Sequence, residues 1–155
     1  MSRTPEVGDL APDFTLGSTA GTVTLSAHLK QGGQASTLLV FYPGDETPVC
    51  TNQLCDYRNN LDVFRDLEVS LLAINPQSLE SHEAFAKKHG LPFPLLSDPD
   101  KSVCRAYGAL GLLGMAKRAL VLVGADQRIR WRRSDLPIFR RSAEELRDVI
   151  GELSQ

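Results

Sequence analysis

The sequence predicts an α/β fold: a central sheet with helices on both faces, preceded by a β-hairpin. Three observations lead there. Short apolar runs bounded by turn residues, such as TLLVFY at 37–42 and VSLLAI at 69–74, read as buried strands. Segments with apolar residues at helical spacing stand between those runs, and strands alternating with helices are the pattern of a layered α/β domain. The chain has 155 residues, 42% hydrophobic and 23% charged, which suits one domain with a real core. Residues 1–155 are read as that single domain.

The elements follow in order. Asp13–Leu16 and Thr22–Leu25 alternate apolar and polar residues around GSTAG, as a hairpin does. KQGGQAS is a polar loop. Thr37–Tyr42 is a strand ended by Pro43 and Gly44. A helical pattern then runs from about Pro48 to Phe64, with Asn59-Asn60 as a weak stretch inside it. Val69–Ile74 is the next strand. SLESHEAFAKKHG is a helix with Ser78 or Ser81 as N-cap and Gly90 as its stop. FPLL is a short strand and DPDKSVCRAYG a short helix. Arg118–Val123 is a strand that turns through GADQ into RIRWRR, its antiparallel partner. SAEELRDVIGEL closes the chain as a helix, with Ser142 as cap and Glu145 at the capping-box position. The alternation predicts mainly parallel pairing, and the final hairpin makes the central sheet mixed. Ligand sites in such sheets lie at the carboxyl ends of strands. That directs attention to Pro43–Cys50, between a buried strand and a helix.

Composition narrows the function classes. A net charge of -2 gives no general attraction to nucleic acid or an anionic membrane. The segment MSRTPEVGDLAPDF lacks the apolar run of a signal peptide, and no stretch approaches the roughly 20 apolar residues of a membrane span. A soluble, cytoplasmic protein is expected, with neither nucleic acid nor membrane as partner. Cys50, Cys55 and Cys104 are too few, and odd in number, for a secreted disulfide framework. In a reducing compartment a close thiol pair points to catalysis or metal binding.

Cys50 and Cys55 form a C-x4-C pair. Pro48 fits the first helical turn and Thr47 before it is a natural N-cap. Cys50 then lies in that first turn, where open backbone amides and the helix dipole favour a thiolate nucleophile. The same residue also fits as a small buried hydrophobe, because Cys50, Leu54, Tyr57, Leu61 and Phe64 share one apolar stripe. Cys55 falls off the stripe, on the polar side. Five residues along a helix separate Cα atoms by about 8–9 Å, and a disulfide needs about 7 Å or less. The two thiols therefore either never pair, or pair only when the helix unwinds.

FYPGDETPVCTNQLC resembles the active-site segment of peroxiredoxins, whose signature P-x-x-x-[TS]-x-x-C here falls on Pro43, Thr47 and Cys50. The cysteine five residues on resembles the bacterioferritin comigratory protein, or peroxiredoxin Q, branch. GDLAPDFTL, FPLLSDPDKSVCRAYG and KRALVLVGADQRIRW extend the resemblance over nearly the whole chain. It implies a thioredoxin-like fold with an added N-terminal hairpin. It also implies reduction of hydrogen peroxide and organic hydroperoxides without metal, haem or flavin. By position, Cys50 would be the peroxidatic cysteine and Cys55 the resolving one. Thr47 would hydrogen-bond thiolate and peroxide, Pro43 would shield the pocket, and Arg118 would favour the thiolate and polarise the O–O bond. Thioredoxin or a similar dithiol would reduce the Cys50–Cys55 disulfide, and the branch favours a monomer.

Other features compete. Cys104 reads first as a packed free thiol and second as another resolving residue. His28, His82 and His89 show no H-x3–5-H pair, which argues against a zinc module with the thiols. RIRWRRSDLPIFRR interleaves arginines with Trp131. Strand alternation would put Ile129 and Trp131 on one face and most arginines on the other, guarding a strand edge. A thiol–disulfide exchange protein and a peroxide sensor or holdase without turnover are the remaining rivals; the missing C-x2-C weighs against the first of these.

Overall fold

The computed structural model describes residues 4–31, 35–45, 47–111, 114–135 and 143–153. The N-terminal hairpin pairs β1 (Thr15–Leu16) with β2 (Val23–Thr24) in antiparallel register. The expected strand ends one residue early, because Leu25 opens a helix, α1 (Leu25–Gln31), which the sequence does not predict. Leu25 and Leu29, four apart, are its buried face. Its first turn is capped from Asp13, whose Oδ1 accepts from the Ser26 amide at 2.9 Å and Oδ2 from the Ser26 hydroxyl at 2.8 Å. Those hydrogen bonds outweigh the upward push of burial and hold the Asp13 carboxyl below its ordinary range.

Among the described residues the central sheet has five strands in the order β5-β4-β3-β6-β7. They are β3 (Ser36–Phe41), β4 (Val69–Asn75), β5 (Leu95–Ser97), β6 (Arg118–Gly124) and β7 (Ile129–Asp135). Pairing is parallel for β3–β4 and β4–β5 and antiparallel for β3–β6 and β6–β7. The sheet is thus evenly mixed, where alternation alone had predicted mainly parallel pairing. The reason is that β6 returns beside β3 in the opposite sense. β3 and β6 are buried at every position, as central strands covered on both faces must be.

The helices are α2 (Pro48–Asn59), α3 (Leu61–Asp66), α4 (Leu79–His89), α5 (Ser102–Ala106) and α6 (Ala143–Leu153). One face of the sheet packs Leu38, Val40, Leu120 and Leu122 against α2, α3, α4 and α6. The other packs Leu39, Phe41, Val121 and Val123 against α1, α5 and the hairpin side. The helix expected over Pro48–Phe64 divides at Asn60, whose backbone leaves the helical region (φ −127°, ψ 36°). Its side-chain amide donates to the Asp56 carbonyl at 2.8 Å, taking an acceptor that helix continuation would use. α4 has the expected ends: Ser78 Oγ accepts from the Ser81 amide, and Gly90 adopts the left-handed conformation at φ 61°.

β7 departs from simple alternation. Leu122 pairs with Trp131 but Val123 with Ile129, a bulge that skips Arg130. The extra residue shifts the alternation. Ile129 therefore joins one core and Trp131 packs on the other, so the two do not share a face as expected. Arg132 is half-buried and donates to the carbonyls of Pro5 and Tyr107, at 2.5 and 3.0 Å. Arg128, Arg130 and Arg133 are exposed. Arg140, Arg141 and the expected Ser142 cap lie outside the described residues, as do parts of the KQGGQAS and GALGLLGMAK segments.

Candidate active site

Strand β3 ends at Phe41 and α2 begins at Pro48, so the connecting loop lies at the carboxyl end of a central strand. Pro43 is half-buried at its start. Thr47 occupies the N-cap position with extended backbone (φ −75°, ψ 143°), and Pro48 follows as the first helical residue. The expected side-chain cap is not made. Thr47 Oγ1 turns back and donates to the Gly44 carbonyl at 3.2 Å, which closes the loop on itself. In this conformation its proton is engaged by the Gly44 carbonyl.

Cys50 heads the apolar stripe of α2 and is fully buried, with Leu54, Tyr57 and Phe64 below it. Arg118, the first residue of β6, reaches it from the face of the sheet that α2 covers: Nη2 donates to Cys50 Sγ at 3.0 Å. The guanidinium is itself only 1% exposed, so this contact is shielded from water. Its Nη1 donates to Gln53 Oε1, and Gln53 Nε2 donates to the Tyr57 hydroxyl at 2.9 Å. Gln53 was not among the expected site residues. Its signal was present, because three residues after Cys50 a helix returns to nearly the same face.

A second buried group holds the loop. Asp45 Oδ1 accepts from the Tyr42 hydroxyl at 2.6 Å, and Oδ2 accepts from the Ser81 hydroxyl at 2.6 Å and faces His82 Nδ1 at 2.7 Å. His82 Nε2 faces the Leu96 carbonyl at 3.0 Å. A carbonyl can only accept, so Nε2 carries a proton. Burial alone would raise the Asp45 carboxyl; the hydrogen bonds from His82, Ser81 and Tyr42 outweigh it and hold the group below its ordinary range. Burial pushes the Tyr42 phenol well above its usual value, and the charge of Asp45 and its hydrogen bond push the same way. The Asp45 amide donates to Gln77 Oε1, and a methyl group on Gly44 would stand 3.0 Å from that oxygen. A bare Gly44 thus lets Gln77 seat the loop. In sequence His82 looked isolated, since Asp45 lies 37 residues away.

Cys55 is half-buried in the same unbroken helix as Cys50, and both thiols are free. Cys104 is fully buried on the opposite face of the sheet, where burial and then the charge of Asp98 push its thiol far up. The histidines are dispersed: His28 contacts Ser70 Oγ at 3.0 Å, His82 joins Asp45, and His89 packs on the Phe85 ring.

The site therefore presents a cysteine at a helix start, a buried guanidinium on its sulfur, and a second thiol about 1.4 turns along. Comparisons agree with that chemistry. The AhpC/TSA family model matches residues 7–132. The chain is 38% identical over 105 residues to peroxiredoxin Bcp of Bacillus subtilis, covering 67% of this chain and 64% of that one. It is 42% identical over 102 residues to the chloroplastic peroxiredoxin Q of Sedum lineare, covering 65% of this chain and 53% of that one. The crystal structure of peroxidoxin BcpB from Mycobacterium tuberculosis superposes with a TM-score of 0.81 at 27% identity, over 97% of each chain. The chain belongs to the AhpC/TSA family, in its bacterioferritin comigratory protein/peroxiredoxin Q branch, and is a thiol-dependent peroxidase with a thioredoxin-like fold.

Proposed function

We propose that Cys50 is the thiol that attacks peroxide and Cys55 the thiol that resolves it. The observation that carries this reading is the 3.0 Å contact from Arg118 Nη2 to Cys50 Sγ at a helix start. The guanidinium and the open first-turn amides favour the thiolate. The sulfur attacks one peroxide oxygen and the O–O bond breaks. The other oxygen leaves as water or alcohol after taking a proton. Negative charge grows on that leaving oxygen, and donors already in place lower the barrier. Arg118 and the Cys50 amide are placed for this, with Gln53 keeping the guanidinium oriented. Thr47 joins them when its hydroxyl turns from Gly44, and Pro43 shields the loop side.

Cys50 becomes a sulfenic acid. Helix α2 then opens locally, Cys55 attacks the Cys50 sulfur, and water leaves as the disulfide forms. A thioredoxin-type dithiol returns both thiols by exchange. Residues 1–155 act as one domain, as a monomer in the cytoplasm, where such a reductant is present.

The test is the intact mass of reduced protein after one equivalent of peroxide. A loss of two hydrogens is expected, and Cys55→Ser should instead retain one added oxygen. A loss that persists in Cys55→Ser and disappears in Cys104→Ser would sink the assignment. Steady-state peroxide consumption with a thioredoxin system checks the reductant.

A further inference from the structure

Asp56 follows Cys55 in α2, and its carboxylate reaches out of that helix. Oδ2 accepts from the amide of Ala143, the first residue of α6, at 2.8 Å. Oδ1 lies 3.4 Å from Asn60 Nδ2, the nitrogen that also donates to the Asp56 carbonyl. The Ala143 amide is one of the donors a helix start leaves open, and a carboxylate there also meets the positive end of the dipole. α6 is anchored in turn: Ala143, Leu146 and Ile150 are buried in the same core as Leu54 and Tyr57. Two residues beyond Asp56, Arg58 Nη1 donates to the His89 carbonyl at the end of α4. The half of α2 that carries Cys55 is thus held by two neighbouring helices.

We infer that Asp56 is a positioning residue for the resolving step. Its bond to α6 latches Cys55 into the folded helix and must break before Cys55 can reach Cys50. This rests on the reading of Cys55 as the resolving thiol. In an intact helix the two Cα atoms are about 8–9 Å apart, and a disulfide requires them within about 7 Å. Closing that gap from the Cys55 side moves Cys55 and its neighbour Asp56 on the order of 2 Å, more than a 2.8 Å hydrogen bond tolerates.

The latch sets a partition. In resolution, the Cys55 thiolate attacks the Cys50 sulfur, the S–O bond breaks, and the oxygen leaves as water with two protons. In the competing step, the sulfenate attacks a second peroxide, takes one oxygen to become sulfinate, and releases water or alcohol. The first step needs α2 open and the second needs it closed. A tighter latch lengthens the life of the sulfenic acid and favours the second peroxide.

The experiment compares wild type, Asp56→Asn and Asp56→Ala by rapid quench and intact mass. Losing a helix cap is expected to speed disulfide formation about fivefold in Asp56→Ala, with a matching fall in the sulfinate-to-disulfide ratio at fixed peroxide excess. Asp56→Asn should stay within about twofold of wild type, because its amide oxygen still caps. The rate of the first peroxide reaction should be the same in all three. An unchanged partition in Asp56→Ala overturns the inference. So does Asp56→Asn matching Asp56→Ala, or a slower first reaction, which would mean general damage. Amide exchange of the reduced proteins, without peroxide, is the second measurement. Asp56→Ala should raise exchange at residues 55–59 and at Ala143. Unchanged exchange overturns the latch whichever thiol resolves. If wild type forms no Cys50–Cys55 disulfide, the assignment of Cys55 fails, and the exchange data still decide whether Asp56 holds this helix.

Discussion

Arg118 is buried to 1% exposure, and its guanidinium ends on a sulfur and an amide oxygen. Taking a cation out of water costs several kcal/mol unless its donors are used. Replacement by lysine keeps the charge but loses the planar fork that serves both partners at once. Arg118→Lys is expected to lower the second-order rate with peroxide by about 100-fold, in the range for removing one preorganised donor. Gln53→Leu keeps the volume and removes the amide that orients the guanidinium. About a tenfold loss is expected, from one hydrogen bond to a charged group. Stopped-flow measurement of peroxide reduction reads both; a Gln53→Leu rate equal to wild type would show that Arg118 needs no such support.

Asp45 makes a pH-dependent contribution whose sign follows from its depressed carboxyl. The folded value lies below the unfolded one, near 3.9. The stabilisation is therefore complete above that unfolded value and is lost as pH falls through the folded one. Wild type should hold its full margin over Asp45→Asn near pH 5, where the carboxyl is ionised in both folded and unfolded states. The difference should shrink below about pH 4, measured by urea unfolding across pH. A gap that widens towards acid would mean the carboxylate is not what stabilises the loop.

At the scale of elements, α2 serves two conflicting requirements. Folded, it presents Cys50 to Arg118; in the proposed mechanism it must unfold for Cys55 to approach. Its C-terminal boundary at Asn60 leaves it shorter than the apolar stripe would allow, since Leu61 and Phe64 continue the pattern into α3. Asn60→Ala removes the side chain that takes the Asp56 carbonyl and favours helix by roughly 0.7 kcal/mol. Joining α2 to α3 should slow disulfide formation about threefold and raise the yield of sulfinic acid at a given peroxide excess. Mass spectrometry of Cys50-containing peptides would show it, and faster resolution in Asn60→Ala would contradict it. Amide exchange should differ between reduced and disulfide forms mainly over residues 47–60.

At the scale of the molecule, the sheet separates two chemistries. Cys50 and Cys55 belong to the face covered by α2, α4 and α6, and Cys104 to the face covered by α1 and α5. For Cys104 to resolve Cys50, a thiol would have to pass through the buried sheet that separates the two cores, whereas Cys55 needs only one helix to open. Cys104→Ala should leave peroxide turnover and the Cys50–Cys55 disulfide unchanged, with a stability loss on the order of 1 kcal/mol for the lost sulfur. Native protein should leave Cys104 unmodified by iodoacetamide until it unfolds. Labelling at the rate of Cys55 would show that the second core is open.

Local pattern in the chain carries the layering of strands and helices, the strand–helix junction at Pro43–Cys50 and the C-x4-C spacing. Each of these is local: apolar runs, turn residues and helical period act within about a dozen residues. Arg118 was legible only through the resemblance, because nothing near it in the chain points to Cys50, 68 residues away. Contacts between distant segments emerge only from the packed fold. β6 returns antiparallel beside β3, a bulge sends Ile129 and Trp131 to opposite faces, and Asp13 caps helix α1 from 13 residues away. The Asp45–His82 pair and the Asp56–Ala143 cap, 37 and 87 residues apart, are of the same kind. Their energy comes from burying polar groups against specific partners. Which partner is available depends on how the sheet and helices pack, and no local pattern carries that information.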